Sequence, residues 1–241
     1  MVIVTGAQGG IANRLLIDLR SANEQCLGIT TSDLPQSPVG GGIDYVKVTK
    51  ASSDQSSYEE YSEIFGLHAE STTGLVLLNG STRYLAGGND FLKTFRENVE
   101  VNLMISNVII RAFLDSREDI NDKPSCSVVL AGTASADRGG QINQNPGYAL
   151  AKYALQNIVK AYGKCYAQTL CRFNCVAFGF IDSGIHQKRN TSFSISDRIA
   201  SIPMGRAGSV EEASAVIQFL LSDESQFING QTLSVDGGDF I

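Results

Sequence analysis

Apolar residues in this chain concentrate in short, largely apolar runs, separated by stretches in which they recur every three to four positions. The runs are VIVT (2–5), CLGIT (26–30), IDYVKV (43–48), GLVLL (74–78), CSVVLAG (126–132), RFNCVAF (172–178) and QTLSV (231–235). Each has the length of a strand. Between them, Ile11, Leu15, Leu16 and Leu19 keep helical spacing, as do Ala151, Ala154, Leu155, Ile158, Val159 and Tyr162. Further helices are predicted over 56–66, 90–115 and 211–221.

Strands that are apolar almost throughout are covered on both faces. Strands alternating with helices make such a sheet parallel. The predicted fold is therefore α/β: a three-layer, Rossmann-type, doubly wound parallel sheet of about seven strands, in one domain spanning 1–241. No repeat or linker divides it. Ligands of such sheets bind beyond the carboxyl ends of the strands, so residues with chemical roles are expected just after each run.

Composition narrows the classes. The chain has 241 residues, 43% of them hydrophobic, and a net charge of −6. That acidity argues against nucleic acid as partner. No run is long enough to span a membrane, and no basic leader precedes VIVT, so the expectation is a cytoplasmic protein. Five cysteines (Cys26, Cys126, Cys165, Cys171, Cys175) stand at scattered spacings without a C-x-x-C pair. They are expected as free thiols in a reducing compartment. With only two histidines, no metal site is expected.

After the first run comes TGAQGGIA, in which Gly6, Gly9 and Gly10 lead into a helix. Glycines there allow the backbone to approach a pyrophosphate, whose charge a helix N-terminus stabilises. Ala12 stands where a third glycine is usual. After the second run, a carboxylate would grip the ribose 2′-hydroxyl of NAD. Here Thr30, Thr31 and Ser32 precede Asp33. Hydroxyls accommodate a 2′-phosphate, which favours NADP(H) while NAD(H) stays open; Asp33 or Arg14 could tilt the choice. Later, Tyr148 and Lys152 share one helical face at i,i+4. They could meet the same small molecule, or lie on a solvated surface.

TGAQGGIA, NG (79–80), VNL (101–103), a hydroxyl after the fifth run, Y-x-x-x-K and CVAFGFIDSG occur in the order of the short-chain dehydrogenase/reductase family. The stretch IPMGRAGSVEEASAVIQFLLSDESQFINGQTLSVDGG (202–238) resembles that family's C-terminal signature. The chain is identified as a classical-type member, and the resemblance covers nearly all of it. It implies an NAD(P)-dependent enzyme interconverting a carbonyl and a secondary alcohol. Tyr148 would exchange the proton, with Lys152 lowering its pKa and binding the nicotinamide ribose. A free phenol titrates near ~10, and a nearby cation favours the phenolate.

The resemblance also gives Asn102 a water that links the lysine to solvent. Thr133, by motif, or Ser135, by counting back from the tyrosine, would hold the substrate oxygen. Gly6, Gly9, Gly10, Ile11, Thr30, Thr31, Ser32, Asn79, Gly80, Ile181 and Ser183 would line the cofactor. The family's N-N-A-G reads L-L-N-G here, its Asp after strand three is Lys47, and its P-G is Phe178-Gly179.

Residues 184–202 match the substrate lid. They carry His186, Lys188, Arg189 and Arg198, so the cations either recognise an anionic substrate or face water. A homo-oligomer, tetramer or dimer, is implied, with a small-molecule carbonyl or alcohol as substrate. The alternative reading is a non-catalytic dinucleotide-binding redox sensor or partner protein of the same fold.

Overall fold

The computed structural model describes residues 1–34, 43–49, 51–85, 90–120, 124–169, 171–184 and 194–240. Seven strands form one parallel sheet in the order β3-β2-β1-β4-β5-β6-β7. They are β1 (Val2–Thr5), β2 (Cys26–Thr30), β3 (Asp44–Lys47), β4 (Gly74–Leu77), β5 (Cys126–Thr133), β6 (Cys171–Phe178) and β7 (Thr232–Val235). Pairing is in register along the sheet: Val2 lies opposite both Cys26 and Gly74, and Cys175 opposite Thr232. The strand order reverses between β1 and β4, which opens a crevice at their carboxyl ends.

The four central strands are buried almost throughout, because helices cover both faces. On one side lie α2 (Gln55–His68), α4 (Ile105–Asp115) and α5 (Tyr148–Tyr166). Phe65, Phe113 and Phe173 pack there with Leu75, Leu130 and Ile109. On the other side, α1 (Gly10–Ser21) and α7 (Val210–Leu221) bury Leu15, Leu16, Ala213 and Ile217 against Val4, Val76 and Val176. Each such Leu, Ile or Phe stabilises the fold by about 1.5–3 kcal/mol relative to exposure. Edge strand β3 is half-exposed, consistent with its polar sequence DYVK.

The stretch expected as one helix over 90–115 is divided. It runs as α3 (Phe91–Val99), a π turn (Glu100–Met104) and α4. Such one-residue insertions often mark functional sites, and this one contains Asn102. A short helix, α6 (Ile195–Ala200), precedes α7.

The free-thiol expectation needs correction at two positions. Cys126 and Cys171 are register partners at the starts of β5 and β6, with Cα atoms 4.7 Å apart, and they are joined as a disulfide. Sequence spacing cannot show this, since 45 residues separate them and only sheet order makes them neighbours. Cys26, Cys165 and Cys175 are free. No helix among the described residues is long and apolar enough to cross a membrane, and no metal-binding cluster occurs among them.

Candidate active site

Helices on the outer faces begin with side-chain caps: Asp54 for α2, Asp90 for α3, and a Ser209–Glu212 capping box for α7. The two helices that open on the crevice do not. Helix α1 starts from Gly9 and α5 from Gly147, each without a side-chain cap. A helix start left free of side chains keeps its N–H groups available to an anion.

The turn before α1 is built for close approach. Gly6 adopts φ +68°, and a Cβ there would lie 2.7 Å from the carbonyl oxygen of Leu78. A Cβ at Gly10 would lie 2.5 Å from the carbonyl oxygen of Ser183. These two glycines therefore seat the turn between the ends of β4 and β6. Gly9 has room to spare, with only the Gly6 carbonyl at 3.4 Å. Ile11 is half-buried against the core on that face, and Ala12 is buried at the expected helix–strand contact.

Beyond β2, Thr30 is buried and its hydroxyl accepts from Ser32 N at 3.1 Å, while Thr31 and Ser32 are exposed. Asp33 is exposed and ion-paired: Lys47 Nζ donates to its carboxylate at 2.6 Å. That hydrogen bond and the lysine's charge hold the Asp33 carboxyl below its ordinary range. Gln8 Nε2 donates to the Asp33 carbonyl oxygen, a contact that no motif signals. Arg14 points away from the choice of cofactor, paired with Asp18 and Glu211 on the α1–α7 face.

Asn79 is committed within the protein. It accepts from Thr5 Oγ1 at 3.1 Å and donates to Ser106 Oγ at 3.1 Å, pinning β1 and β4 to α4. Gly80 follows with φ +132°. A Cβ there would stand 2.6 Å from Asn102 Oδ1 and 3.2 Å from Lys152 Nζ. Asn102 is fully buried, and its amide donates to Ser81 O at 2.7 Å and Asn98 O at 2.9 Å. Among the described residues, its Oδ1 has no hydrogen-bond partner. A buried, unsatisfied acceptor usually marks a place for water or ligand.

Tyr148 is the first residue of α5 and half-buried; Lys152, one turn on, is buried. Lys152 Nζ donates to Ala131 O at 2.9 Å. Burial lowers its pKa to about 8. Burial also pushes the Cys175 thiol up to about 12, so it stays neutral. Thr133, the last residue of β5, and Ser135 both point to one place: their hydroxyls are hydrogen-bonded at 3.1 Å. The structure thus joins the two alternatives rather than choosing between them. Ile181 is buried and bridged to Gly208, and Ser183 is half-buried against Gly10.

Of the lid, Arg198 is described and pairs with Asp239. His186, Lys188 and Arg189 lie outside the described residues.

Glycine turn, buried lysine and paired hydroxyls at the strand ends define a class: NAD(P)-dependent oxidoreductases that interconvert carbonyls and alcohols on a Rossmann-type sheet. A family model described as enoyl-(acyl carrier protein) reductase matches residues 52–239. The chain belongs to the short-chain dehydrogenase/reductase family. It is 28% identical to the 3-oxoacyl-(acyl-carrier-protein) reductase FabG of Chlamydia trachomatis, covering 98% of this chain and 95% of that protein. The Escherichia coli reductase of the same name is 27% identical over 100% and 97%. Among solved structures, an aldohexose dehydrogenase from Thermoplasma acidophilum superposes with TM-score 0.81, at 24% identity over 99% of this chain and 92% of that one. An NADP-bound putative gluconate 5-dehydrogenase from Beutenbergia cavernae gives 0.82 at 24% identity, over 99% and 95%.

Proposed function

We propose that this chain is an NADP(H)-preferring reductase or dehydrogenase in which Tyr148 exchanges the proton with the substrate oxygen. The observation that carries the reading is the convergence of buried Asn102 and buried Lys152, the latter one turn along α5 from that phenol, on the side-chain position of Gly80. The cradle at Gly6 and Gly10 and the uncapped start of α1 fit a dinucleotide pyrophosphate. A bound nicotinamide cofactor supplies or accepts the hydride. The chain's own residues do the rest.

Gly6, Gly9, Gly10 and Ile11 seat the pyrophosphate. Thr30, Thr31 and Ser32 line the adenosine end, where the Lys47–Asp33 pair removes a bare carboxylate and so supports a 2′-phosphate. Asn79 and Gly80 form one wall by backbone, since the Asn79 amide is engaged elsewhere. Ile181 and Ser183 form the other, beside the nicotinamide. Thr133 and Ser135 hold the substrate oxygen as a pair. Lys152 biases Tyr148 toward phenolate, and the open Oδ1 of Asn102 holds a water that returns protons to the lysine. No observation favours the sensor reading.

Substrate assignment goes no further than a small carbonyl or alcohol. Acyl-carrier-linked and sugar substrates are both represented among the relatives' names. The lid reading of 184–202 and the one-domain span 1–241 belong to the same proposal. So does a homo-oligomer, dimer or tetramer, supported by exposed Met104, Leu150 and Tyr153 on the π turn and α5; light scattering of the native protein tests it. A cytoplasmic location is supported by the exposed free thiol of Cys165, while the Cys126–Cys171 bond counts against it; cell fractionation decides.

The deciding experiment replaces Tyr148 by Phe. Turnover of carbonyl substrates with NADPH should fall by about 10²-fold or more, while NADPH binding, read by its fluorescence, stays. Undiminished turnover in that variant would end the proposal.

A further inference from the structure

The segment after β7, Asp236–Phe240, is folded back on itself. Asp236 accepts from Gly238 N at 3.0 Å and from Phe240 N at 3.1 Å. The segment docks through Met204 N, which donates to Gly237 O at 3.2 Å. Its last two described residues then reach two separate elements. Asp239 forms a two-pronged ion pair with Arg198 of α6, one prong at 2.9 Å. The pair is largely shielded, with side-chain exposures of 19% and 8%. The Phe240 ring receives the Arg198 guanidinium at 5.8 Å and, also, that of Arg138 at 5.6 Å. Arg198 further lies over Phe180, the residue that follows the turn after β6, at 5.8 Å.

Arg138 ends the short 3-10 turn Ala134–Arg138, which carries Ser135. One ring is therefore shared between α6, which lies in the segment proposed as the lid, and the turn that holds a candidate catalytic hydroxyl. A shielded, two-pronged guanidinium–carboxylate pair fixes direction as well as distance. Cations over an aromatic face add attraction without demanding a unique register.

We propose that Asp239 and Phe240 are positioning residues. They brace α6 against the turn 134–138 and so set how tightly the carbonyl substrate is held. This rests on the reading of Thr133, Ser135 and Tyr148 as the reaction centre. Among the described residues, neither Asp239 nor Phe240 is hydrogen-bonded or ion-paired to the cofactor cradle or to the lysine, and their effect should fall on substrate.

The test compares D239N and F240L with the parent chain. Both changes keep shape and so favour folding. KM for the carbonyl should rise by about tenfold in D239N and severalfold in F240L, with kcat altered less than about twofold and NADPH affinity unchanged. Hydrogen–deuterium exchange on the native protein should quicken in 195–200 and 134–138 together. An unchanged KM, or parallel losses in substrate and cofactor constants alongside a lower Tm, would overturn the proposal. So would faster exchange in α6 alone. Exchange needs no turnover, so a parent inactive on every carbonyl would refute the enzymatic reading and leave the brace to be judged by the exchange result.

Discussion

Asn102 and Lys152 converge on the side-chain position of Gly80: a methyl group at that glycine would stand 2.6 Å from Oδ1 of the first and 3.2 Å from Nζ of the second. The asparagine comes from a π turn, the lysine from the second turn of α5, and the glycine from the loop after β4. Three separate elements thus converge on one buried polar point. Among the described residues, the carboxamide oxygen there has no hydrogen-bond partner, and the ammonium donates to the Ala131 carbonyl.

Gly80→Ala is therefore expected to damage stability and turnover together. Its φ of +132° is unfavourable for any L side chain, and the added methyl collides with Asn102. The loss should be on the order of 2 kcal/mol or more, with kcat falling by about tenfold or more through a displaced lysine. Chemical denaturation and steady-state kinetics on the same preparation check both. A variant as stable as the parent would mean that the loop bends away freely.

Lys152→Met should separate stability from activity. Burial lowers the lysine to about 8 from an ordinary value of 10.5. The folded protein thus binds fewer protons than the unfolded chain between those values. The resulting penalty is constant below about pH 8 and disappears as pH rises toward 10.5. It is on the order of 3 kcal/mol. The methionine variant should accordingly be more stable than the parent at pH 7, less the effect of an unpaired Ala131 carbonyl. That advantage should shrink as pH rises from 8 to 10.5. Turnover should be lost. Urea denaturation of both proteins across that range reads the difference; a stability gap that does not close with pH contradicts it.

Thr133 and Ser135 should behave as one unit, because their hydroxyls bond each other. T133V and S135A should each reduce kcat/KM by about 10²-fold, and the double variant by little more. Multiplicative losses would show two independent roles.

Lys47→Ala would free the Asp33 carboxylate beside the adenosine end. The ratio of kcat/KM with NADPH to that with NADH should fall severalfold, and less so at high salt, since both groups are exposed. An unchanged ratio would show that the pair has no part in cofactor choice.

Much of this protein is determined by its sequence read along one dimension. Seven runs mark seven strands almost residue for residue, and the five inner ones do so because a strand buried on both faces has no polar side to interrupt it. The i,i+4 spacing of Tyr148 and Lys152 shows a shared helical face for the same reason of local geometry. What the sequence could not decide depends on which distant elements lie side by side. Cys126 and Cys171 are neighbours only because β5 and β6 are. Asp33 is paired with a lysine from the adjacent strand, and Arg14 with Glu211 from a helix at the other end of the chain. Asn79 proves to be a staple between β1, β4 and α4. The π turn that presents Asn102 has no local signal either, since its extra residue is accommodated by what packs around it. Periodicity reports which face of an element is buried; only the packed fold specifies the residue it is buried against.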